Sequence, residues 1–572
     1  MPQFIVVSGG VISGVGKGVT VASIGKILQE YGFSVTAIKI DPYINYDAGT
    51  LRPTEHGEVW VTYDGGEIDQ DLGNYERFLN MDIPKKNNLT TGQIYKKIID
   101  DERAGKYLGK TVQFIPHIPD EIKRRIKDAS DGYDFCIIEV GGTIGDYENI
   151  PFLFAMKSIE RDIGKENMIY ILVTYLPIPS HIDEMKTKPT QQAIRMLGEN
   201  GIFADFIICR AKKELDNVRK KKIEIYANIR SDHIISEPDI DTIYRIPLDL
   251  EKDKMGMKIL NEFKIIPRKN PDWTEWKNLV NNVTNSGKDV TIAMVCKYIN
   301  IGDYGLKDSY VSVNQALQHA GANLGFSVKI KWIDSKKFEE DENALNELKN
   351  YNGIIVPGGF GASGVEGKIK AIGFSRKNNI PFLGLCYGMQ LAIVEFARNV
   401  CNMKDANTTE VDEKTKYPVI KILESQKDLI KDQKYGGTMR LGAYAAILDE
   451  NSIVFELYRK LGRLETDAER IKEIKKESNQ LFRLGVLNEN NKVIIERHTH
   501  RYEVNPDFTK QIQDKGLIFS GYHLRTDGTK LMEFIELPNH KFFIATQSHP
   551  EFKSSLNKPS PLFFGFVKSC IK

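Results

Sequence analysis

Cys386 stands at the centre of Gly384-Leu385-Cys386-Tyr387-Gly388, between the apolar run IPFLGL and a helical pattern. Strand, sharp turn and helix in that order make a nucleophile elbow, with sulfur in place of a serine hydroxyl. The amino terminus of the following helix favours a thiolate. A thiolate needs a base, and ATQSHPEF supplies His549 and Glu551. Residues two apart on a strand share a face, so the Glu551 carboxylate is expected to orient the His549 imidazole from the same strand. Upstream, VPGGFG offers backbone N–H groups as an oxyanion hole for a tetrahedral intermediate. Cys136, Cys209, Cys296, Cys401 and Cys570 lack such surroundings and read as packing residues.

A second centre lies near the amino terminus, where FIVVSGG runs into GVISGVGKGVTVASIGKIL. Backbone N–H groups of a glycine-rich loop that opens a helix, with the helix dipole behind them, bind phosphate oxygens. The loop is Ser13-Gly14-Val15-Gly16-Lys17-Gly18. Against the pattern G-x-x-x-x-G-K-[ST], Gly10 sits one residue early and Gly18 replaces the hydroxyl residue. A phosphate site without that hydroxyl still needs a magnesium ligand, and Mg²⁺ commonly takes one or two carboxylates plus phosphate oxygens. The candidates are Asp71 in IDQDLGNYERF and Glu139 in CIIEVGGTIGD, the latter at the carboxyl end of an apolar strand, where open α/β sheets bind ligands.

The elements that must position these residues recur along the chain. FIVVSGG, VTAIKI, DFCIIEVGG, MIYILVTYL and DFIICR each precede a glycine-bearing turn or a helical pattern, which predicts buried parallel strands with crossover helices, an α/β fold. Proline and charge interrupt the pattern around IIPRKNPDWTEWKNLV. A second α/β series follows in VTIAMVCKY, SVKIKWID, GIIVPGGFG, IPFLGLCYG and FFIATQSHP. The expected division is a nucleotide-binding domain over 1–265, a linker over 266–288 and a second domain over 289–572. The charged stretch from Leu457 to Lys476 is expected to be a solvated helix. A chain of 572 residues exceeds what one core usually organises.

Lys+Arg 79 against Asp+Glu 77 leave a net charge of +2, which gives no global electrostatic case for nucleic acid or membrane. The six cysteines are scattered without metal-ligand spacing, as in a reducing compartment. MPQFIVVSGG shows no basic segment followed by a long apolar run, and no run reaches transmembrane length. The cytoplasm is the expected location.

The carboxyl-terminal half resembles class I glutamine amidotransferases, whose Cys-His-Glu triad releases ammonia from glutamine. In the amino-terminal half, GGVISGVGKG, IKIDPYINYDAGT, EHGEV, DLGNYERF, IIEVGGTIGDYE and KTKPTQQ resemble the amidoligase domain of the CTP synthase family. The resemblance implies a P-loop-like parallel-sheet domain joined to a glutaminase domain, in a ligase that aminates UTP with ATP and glutamine. It assigns Lys17 and Lys39 to phosphate stabilisation, and Asp71 and Glu139 to Mg²⁺. Asp146, Glu148, Lys186, Gln191 and Lys222 fall to UTP or the inhibitory product CTP. Gly359, Gln390, Glu410 and Arg501 fall to glutamine, and Pro53, His56 and Val59 to an ammonia passage. It further implies a homotetramer with active sites built across subunits, filaments in many organisms, and GTP as an activator.

Two departures bear on that last point. The family usually reads GGFG-x-R-G where this chain has Gly361-Ala362-Ser363-Gly364, and RHRHR where it has Arg497-His498-Thr499-His500-Arg501. Both replaced arginines lie in the glutaminase half, so they concern glutamine use and GTP activation. Other ATP-dependent amidotransferases that act on carboxylates, such as cobyrinate amidase relatives, share both site types. IDPYINYDAGT and KTKPTQ argue against them. A non-catalytic filament protein would have no need of Lys17, Asp71, Glu139, Cys386, His549 and Glu551 together.

Overall fold

The structure is a computed structural model that describes residues 2–51, 57–297, 300–301, 304–305, 310–423 and 439–571. It divides into two compact units, one of residues 1–51 and 67–280, the other of residues 52–66 and 281–572. The expected linker tract holds the helix Thr274–Asn285, and the units divide within that helix. Trp276 is the reason the helix begins on the first unit: it is buried there, and its indole N–H donates to the Tyr244 carbonyl at 2.8 Å.

Among the described residues, the first unit is built on a seven-stranded sheet of β1 (Gln3–Gly9), β2 (Val35–Asp41), β3 (Asn88–Thr90), β4 (Phe135–Val140), β5 (Met168–Tyr175), β6 (Phe206–Ala211) and β7 (Ile234–Pro238). Their order is β3-β2-β4-β1-β5-β6-β7, and every neighbouring pair is parallel. The five Val/Ile-rich runs are its five central members. Burial on both faces explains why they read as continuous apolar runs, with Ile5, Ile38, Ile138, Leu172 and Ile207 fully or almost fully buried. β3 and β7 close the edges.

The second unit carries a nine-stranded sheet of β8 (Asp289–Cys296), β9 (Ser327–Asp334), β10 (Gly353–Val356), β11 (Phe382–Leu385), β12 (Arg440–Leu448), β13 (Val493–His500), β14 (Ile518–Leu524), β15 (Lys530–Glu536) and β16 (Phe543–Thr546). The order is β9-β8-β10-β11-β16-β15-β14-β12-β13. The first five strands are parallel, whereas β16 to β13 pair antiparallel. Apolar clusters cover both faces, one around Val356, Met389 and Ala545 and another around Met294, Leu383 and Phe563.

The charged stretch from Leu457 to Lys476 is not one solvated helix. It falls on two, Ile453–Lys460 and Arg463–Ile474, broken at Gly462 in the left-handed region. Asp467 is buried, accepting from the Ile495 N–H at 2.9 Å and from Lys553 Nζ at 2.9 Å. A charge pattern alone does not distinguish such a paired carboxylate from a solvated one. Among the described residues, no helix is long and apolar enough to cross a membrane.

Candidate functional site

The glutaminase-like centre forms because three motifs end adjacent parallel strands. Val356 pairs with Gly384, and Leu385 with Thr546, so β10, β11 and β16 deliver PGGFG, Cys386 and SHPE side by side. Cys386 leaves β11 with φ 49 and ψ −102 and caps the helix Tyr387–Asn399. That conformation costs about 1–3 kcal/mol for a residue with a side chain and marks a functional turn. A Cβ on Gly388 would lie 2.2 Å from the Val356 carbonyl oxygen, so only glycine lets the helix start this close to β10.

His549 and Glu551 do not sit on a strand as expected. β16 ends at Thr546, His549 has φ −115 and ψ 75, and Pro550 opens a short 3₁₀ turn that carries Glu551. The expected pairing still forms, with His549 Nδ1 and Glu551 Oε1 2.7 Å apart. Both are buried. Burial opposes the imidazolium, but Glu551 and Cys386 hold the His549 pKa well above its ordinary value. Nε2, the other ring nitrogen, is buried and is left to Cys386, whose interaction with the ring contributes to that rise. The ring is placed over Gly358, whose Cβ position would lie 3.0 Å from His549 Cε1 and 3.7 Å from Cys386 Cβ. Thiol, imidazole and carboxylate in this order can transfer a proton from sulfur and return it to a leaving amine.

The glutamine-assigned residues gather around this centre. Glu410 Oε1 accepts the Gly361 N–H at 2.6 Å and so ties down the loop that holds Gly359. Gln390 is buried one helical turn past Cys386, with Nε2 donating to the Tyr502 carbonyl at 3.2 Å. Arg501 is half-buried beside Tyr502. Ser363 is exposed, and Thr499 lies on β13 opposite Leu441. Gln547, whose amide reaches Cys386 Sγ at 3.6 Å, was not anticipated; its place two residues before His549 is the only sequence signal for it.

Val59 lies on the strand Val59–Val61, which belongs to the glutaminase unit. Trp60 packs edge-on to Phe552 with ring centroids 4.8 Å apart, and Phe552 stacks on His549 at 5.4 Å. Arg497 Nη1 donates to the Val61 carbonyl at 3.0 Å, and Glu58 Oε2 accepts from the Ser312 N–H at 2.9 Å. Pro53 and His56 fall outside the described residues.

In the first unit, β1 ends at Gly9 and the helix Lys17–Glu30 begins after Gly16, which is left-handed at φ 97. Lys17 Nζ donates to the Gly142 carbonyl at 2.7 Å. Lys39 and Glu139 are register partners on β2 and β4, so their side chains meet with Nζ 2.9 Å from Glu139 Oε1. Lys39 also bonds Asp71. Burial opposes the Lys39 charge, but Asp71, Glu139 and Asp41 raise its pKa well above the ordinary range. Burial lowers that of Lys17. Burial lifts Glu139, whereas Lys39 overrides burial at Asp71 and holds it down.

A Cβ on Gly18 would lie 2.2 Å from Asp71 Oδ1. The carboxylate therefore occupies the space beside the loop where the usual hydroxyl residue would stand, which accounts for the glycine. Tyr75, unremarked in the sequence, donates its hydroxyl to Glu139. Its spacing of four from Asp71 puts both on one face of the helix Asp71–Leu79, which was a readable signal. Two carboxylates converging on one point are a fitting donor set for Mg²⁺. Among the described residues no group of three or more such ligands exists, so phosphate oxygens would have to complete the shell.

The pyrimidine-assigned residues are more dispersed. Asp146 and Glu148 are exposed in the turn after β4, with Asp146 Oδ2 accepting the Thr143 N–H at 2.7 Å. Glu184 accepts from Lys186 at 2.6 Å and from Arg219 at 2.8 Å, and so ties Lys186 to the helix Asn217–Ala227 that carries exposed Lys222. Gln191 sits in the first turn of Lys188–Glu199.

Two family models match most of the chain. A model described as CTP synthase N-terminus matches residues 3–265, and one described as glutamine amidotransferase class-I matches residues 305–569. The chain is 46% identical to a CTP synthase of Methanocaldococcus jannaschii over 574 aligned positions, covering 100% of this chain and 98% of that one. It is 46% identical to a CTP synthase of Saccharolobus solfataricus, covering 99% of each. A solved Trypanosoma brucei CTPS glutaminase domain with bound acivicin is 32% identical, covers 49% of this chain and 93% of its own, and superposes with a TM-score of 0.41. The chain belongs to the CTP synthase family of glutamine-hydrolysing ligases.

Proposed function

We propose that this chain makes CTP by ATP-dependent amination of UTP, using ammonia released from glutamine. The observation that carries this reading is the presence of two complementary centres, Lys17-Lys39-Asp71-Glu139 and Cys386-His549-Glu551, in one chain that aligns over its whole length with CTP synthases. Cys386 attacks the glutamine amide after His549 takes its proton, and His549 returns that proton to the departing ammonia. Backbone N–H groups of the loop after β10 receive the oxyanion. Water then frees glutamate by the same route reversed.

The 4-oxygen of UTP is a poor leaving group, and phosphorylation by ATP lets ammonia displace it as phosphate. Lys17 and Lys39 balance charge as the phosphoryl group moves, a step that is mainly positioning and charge stabilisation. Mg²⁺ held by Asp71 and Glu139 would neutralise phosphate charge. Asp146, Glu148, Lys186, Gln191 and Lys222 recognise UTP or CTP, and the exposure of Asp146, Glu148 and Lys222 suits a site completed by another subunit of a homotetramer. Ammonia is mostly protonated in water at neutral pH, so it needs a shielded route, which we assign to Pro53, His56 and Val59. All six cysteines are free, in keeping with action in the cytoplasm. The test is incubation with UTP, ATP, Mg²⁺ and glutamine. CTP, ADP and glutamate should form in equal amounts; glutamate release without CTP, or amidation of a carboxylate instead, would overturn the reading.

Gly18→Ala is expected to displace Asp71 and reduce CTP formation from both glutamine and ammonia by about tenfold or more, with the far-ultraviolet circular dichroism unchanged. Native rates in that variant would contradict the proposed role of the Gly18 clearance. GTP is expected to activate weakly, because a serine at 363 cannot make the bidentate phosphate bonds of an arginine. Ser363→Arg should strengthen activation in a GTP titration of glutamine-dependent turnover, while ammonia-dependent turnover stays the same. Strong activation of the unaltered protein at low GTP would refute this.

A further inference from the structure

Behind the oxyanion loop lies a buried cation that none of these roles uses. Lys368 belongs to the helix Val365–Lys377 and is 1% exposed, and its Nζ has no hydrogen-bond partner among the described residues. Burying an ammonium without a hydrogen-bonded counter-charge is expensive, so its retention calls for a compensating interaction. Its Nζ is 3.7 Å from where a Cβ on Gly359 would stand, and Lys297 Cε is 3.6 Å from the same point. It also lies over the Tyr387 ring, 5.7 Å from the centroid. The helix start is pinned, with the N–H groups of Glu366 and Gly367 donating to Glu339 Oε1 at 3.1 and 3.3 Å. The amine is therefore held on the inner side of the loop.

Among the described residues, the groups facing Lys368 are Cys296, Lys297, Cys386 and Tyr387, and none of these is a carboxylate. Burial pushes the Cys296 thiol up to about 12, and burial also raises the Tyr387 phenol, so both are neutral at physiological pH. Lys297 repels. Cys386 alone of the four becomes anionic in the proposed reaction, and the loop at Gly359 is where the second transient anion would develop.

We propose that Lys368 is a positioning residue of the glutaminase centre, a fixed charge whose field favours Cys386 as thiolate and the oxyanion at the Gly359 loop. The inference rests on the glutaminase reading given above. It also carries a pH signature. Burial first, with Lys297 adding to it, lowers the Lys368 pKa to about 8, against the pull of Cys296 and Cys386. The charge is present below that pH and is lost as pH rises through it, so the contribution belongs to the neutral side.

The test compares the full-length protein with Lys368→Met and Lys368→Arg, with UTP and ATP present. One readout is kcat and KM for glutamate release across neutral to alkaline pH; the other is the rate of Cys386 alkylation by iodoacetamide, followed by mass spectrometry of that peptide. Lys368→Met should lower kcat by about tenfold with little change in KM, and displace the alkylation profile upward by about one pH unit. The alkaline decline near the Lys368 pKa should be absent from its kcat profile. Lys368→Arg should restore most of the rate, and CTP formation from ammonia should stay at the native level in both. A Met variant with native kcat and an undisplaced profile would overturn the proposal, as would Met and Arg variants equally slow with undisplaced profiles, which is the pattern of lost packing. Alkylation needs no glutamine turnover. If the unaltered protein released no glutamate, the glutaminase reading would fail, while the alkylation profiles would still decide for or against Lys368.

Discussion

Replacing Cys386 by alanine is expected to abolish CTP formation from glutamine, a loss of roughly 10⁴-fold or more, and to leave formation from ammonia close to native. In the proposed mechanism the sulfur is the attacking atom, and the other hydroxyl of the elbow, that of Tyr387, is engaged in donating to the Gly361 carbonyl at 3.1 Å. Alanine removes one buried atom and keeps the same positive-φ backbone that cysteine already tolerates, so the fold should persist. Ammonia supplied from solution bypasses the glutaminase centre altogether. The measurement is CTP appearance with each nitrogen source, together with glutamate release. Retained glutamine use would remove Cys386 from the mechanism, and equal loss from both sources would mean that the substitution had damaged the synthase centre or the fold.

Lys17→Ala, Asp71→Asn and Glu139→Gln should each abolish synthesis from both nitrogen sources, by roughly 10³-fold. Activation of UTP precedes attack by ammonia, so nothing supplied from outside can rescue it. The three changes act at one cluster: Lys17 caps the phosphate loop, and Asp71 and Glu139 share Lys39. Glu139→Gln is the most telling because it preserves volume while removing one counter-charge from a buried ammonium and leaving a single acceptor oxygen where Lys39 and Tyr75 now use two. Glutamine hydrolysis alone is the second readout, since the Cys386 centre remains intact. Near-native CTP formation from ammonia in any of the three would show that its assigned role is wrong.

Much of this was legible because the chemistry sits where regular elements end. The strand-turn-helix grammar around FIVVSGG and IPFLGLCYG located Lys17 and Cys386, since apolar runs fix strands and glycines mark the turns. The antiparallel strands β12 to β15 are not among the runs that read as strands, although Asp527-Gly528 in the turn between β14 and β15 is a hairpin signal that the sequence offers. The HPE turn reads as strand in the sequence because strand alternation, like the turn that forms, lets residues two apart meet. Pro550 after a residue at ψ 75 settled the outcome locally. Contacts distant in sequence had no local signature. Asp467 with Lys553, Trp60 with Phe552, and Lys39 between Asp71 and Glu139 depend on pairing that only the folded sheet creates. The Gly18 departure was visible as an anomaly, but its cause, the Asp71 carboxylate filling the space beside it, was not.

The central claim is that one chain couples glutamine hydrolysis to phosphate-activated amination of UTP, and isotope tracing tests it most directly. UTP labelled with ¹⁸O at the 4-position and glutamine labelled with ¹⁵N in the amide are supplied together with ATP and Mg²⁺, and products are resolved by mass spectrometry. The account predicts ¹⁵N in the 4-amino group of CTP and one ¹⁸O in each inorganic phosphate released. CTP formed with its ¹⁸O lost to water instead, or ¹⁵N found only in free ammonia with UTP unchanged, would contradict it.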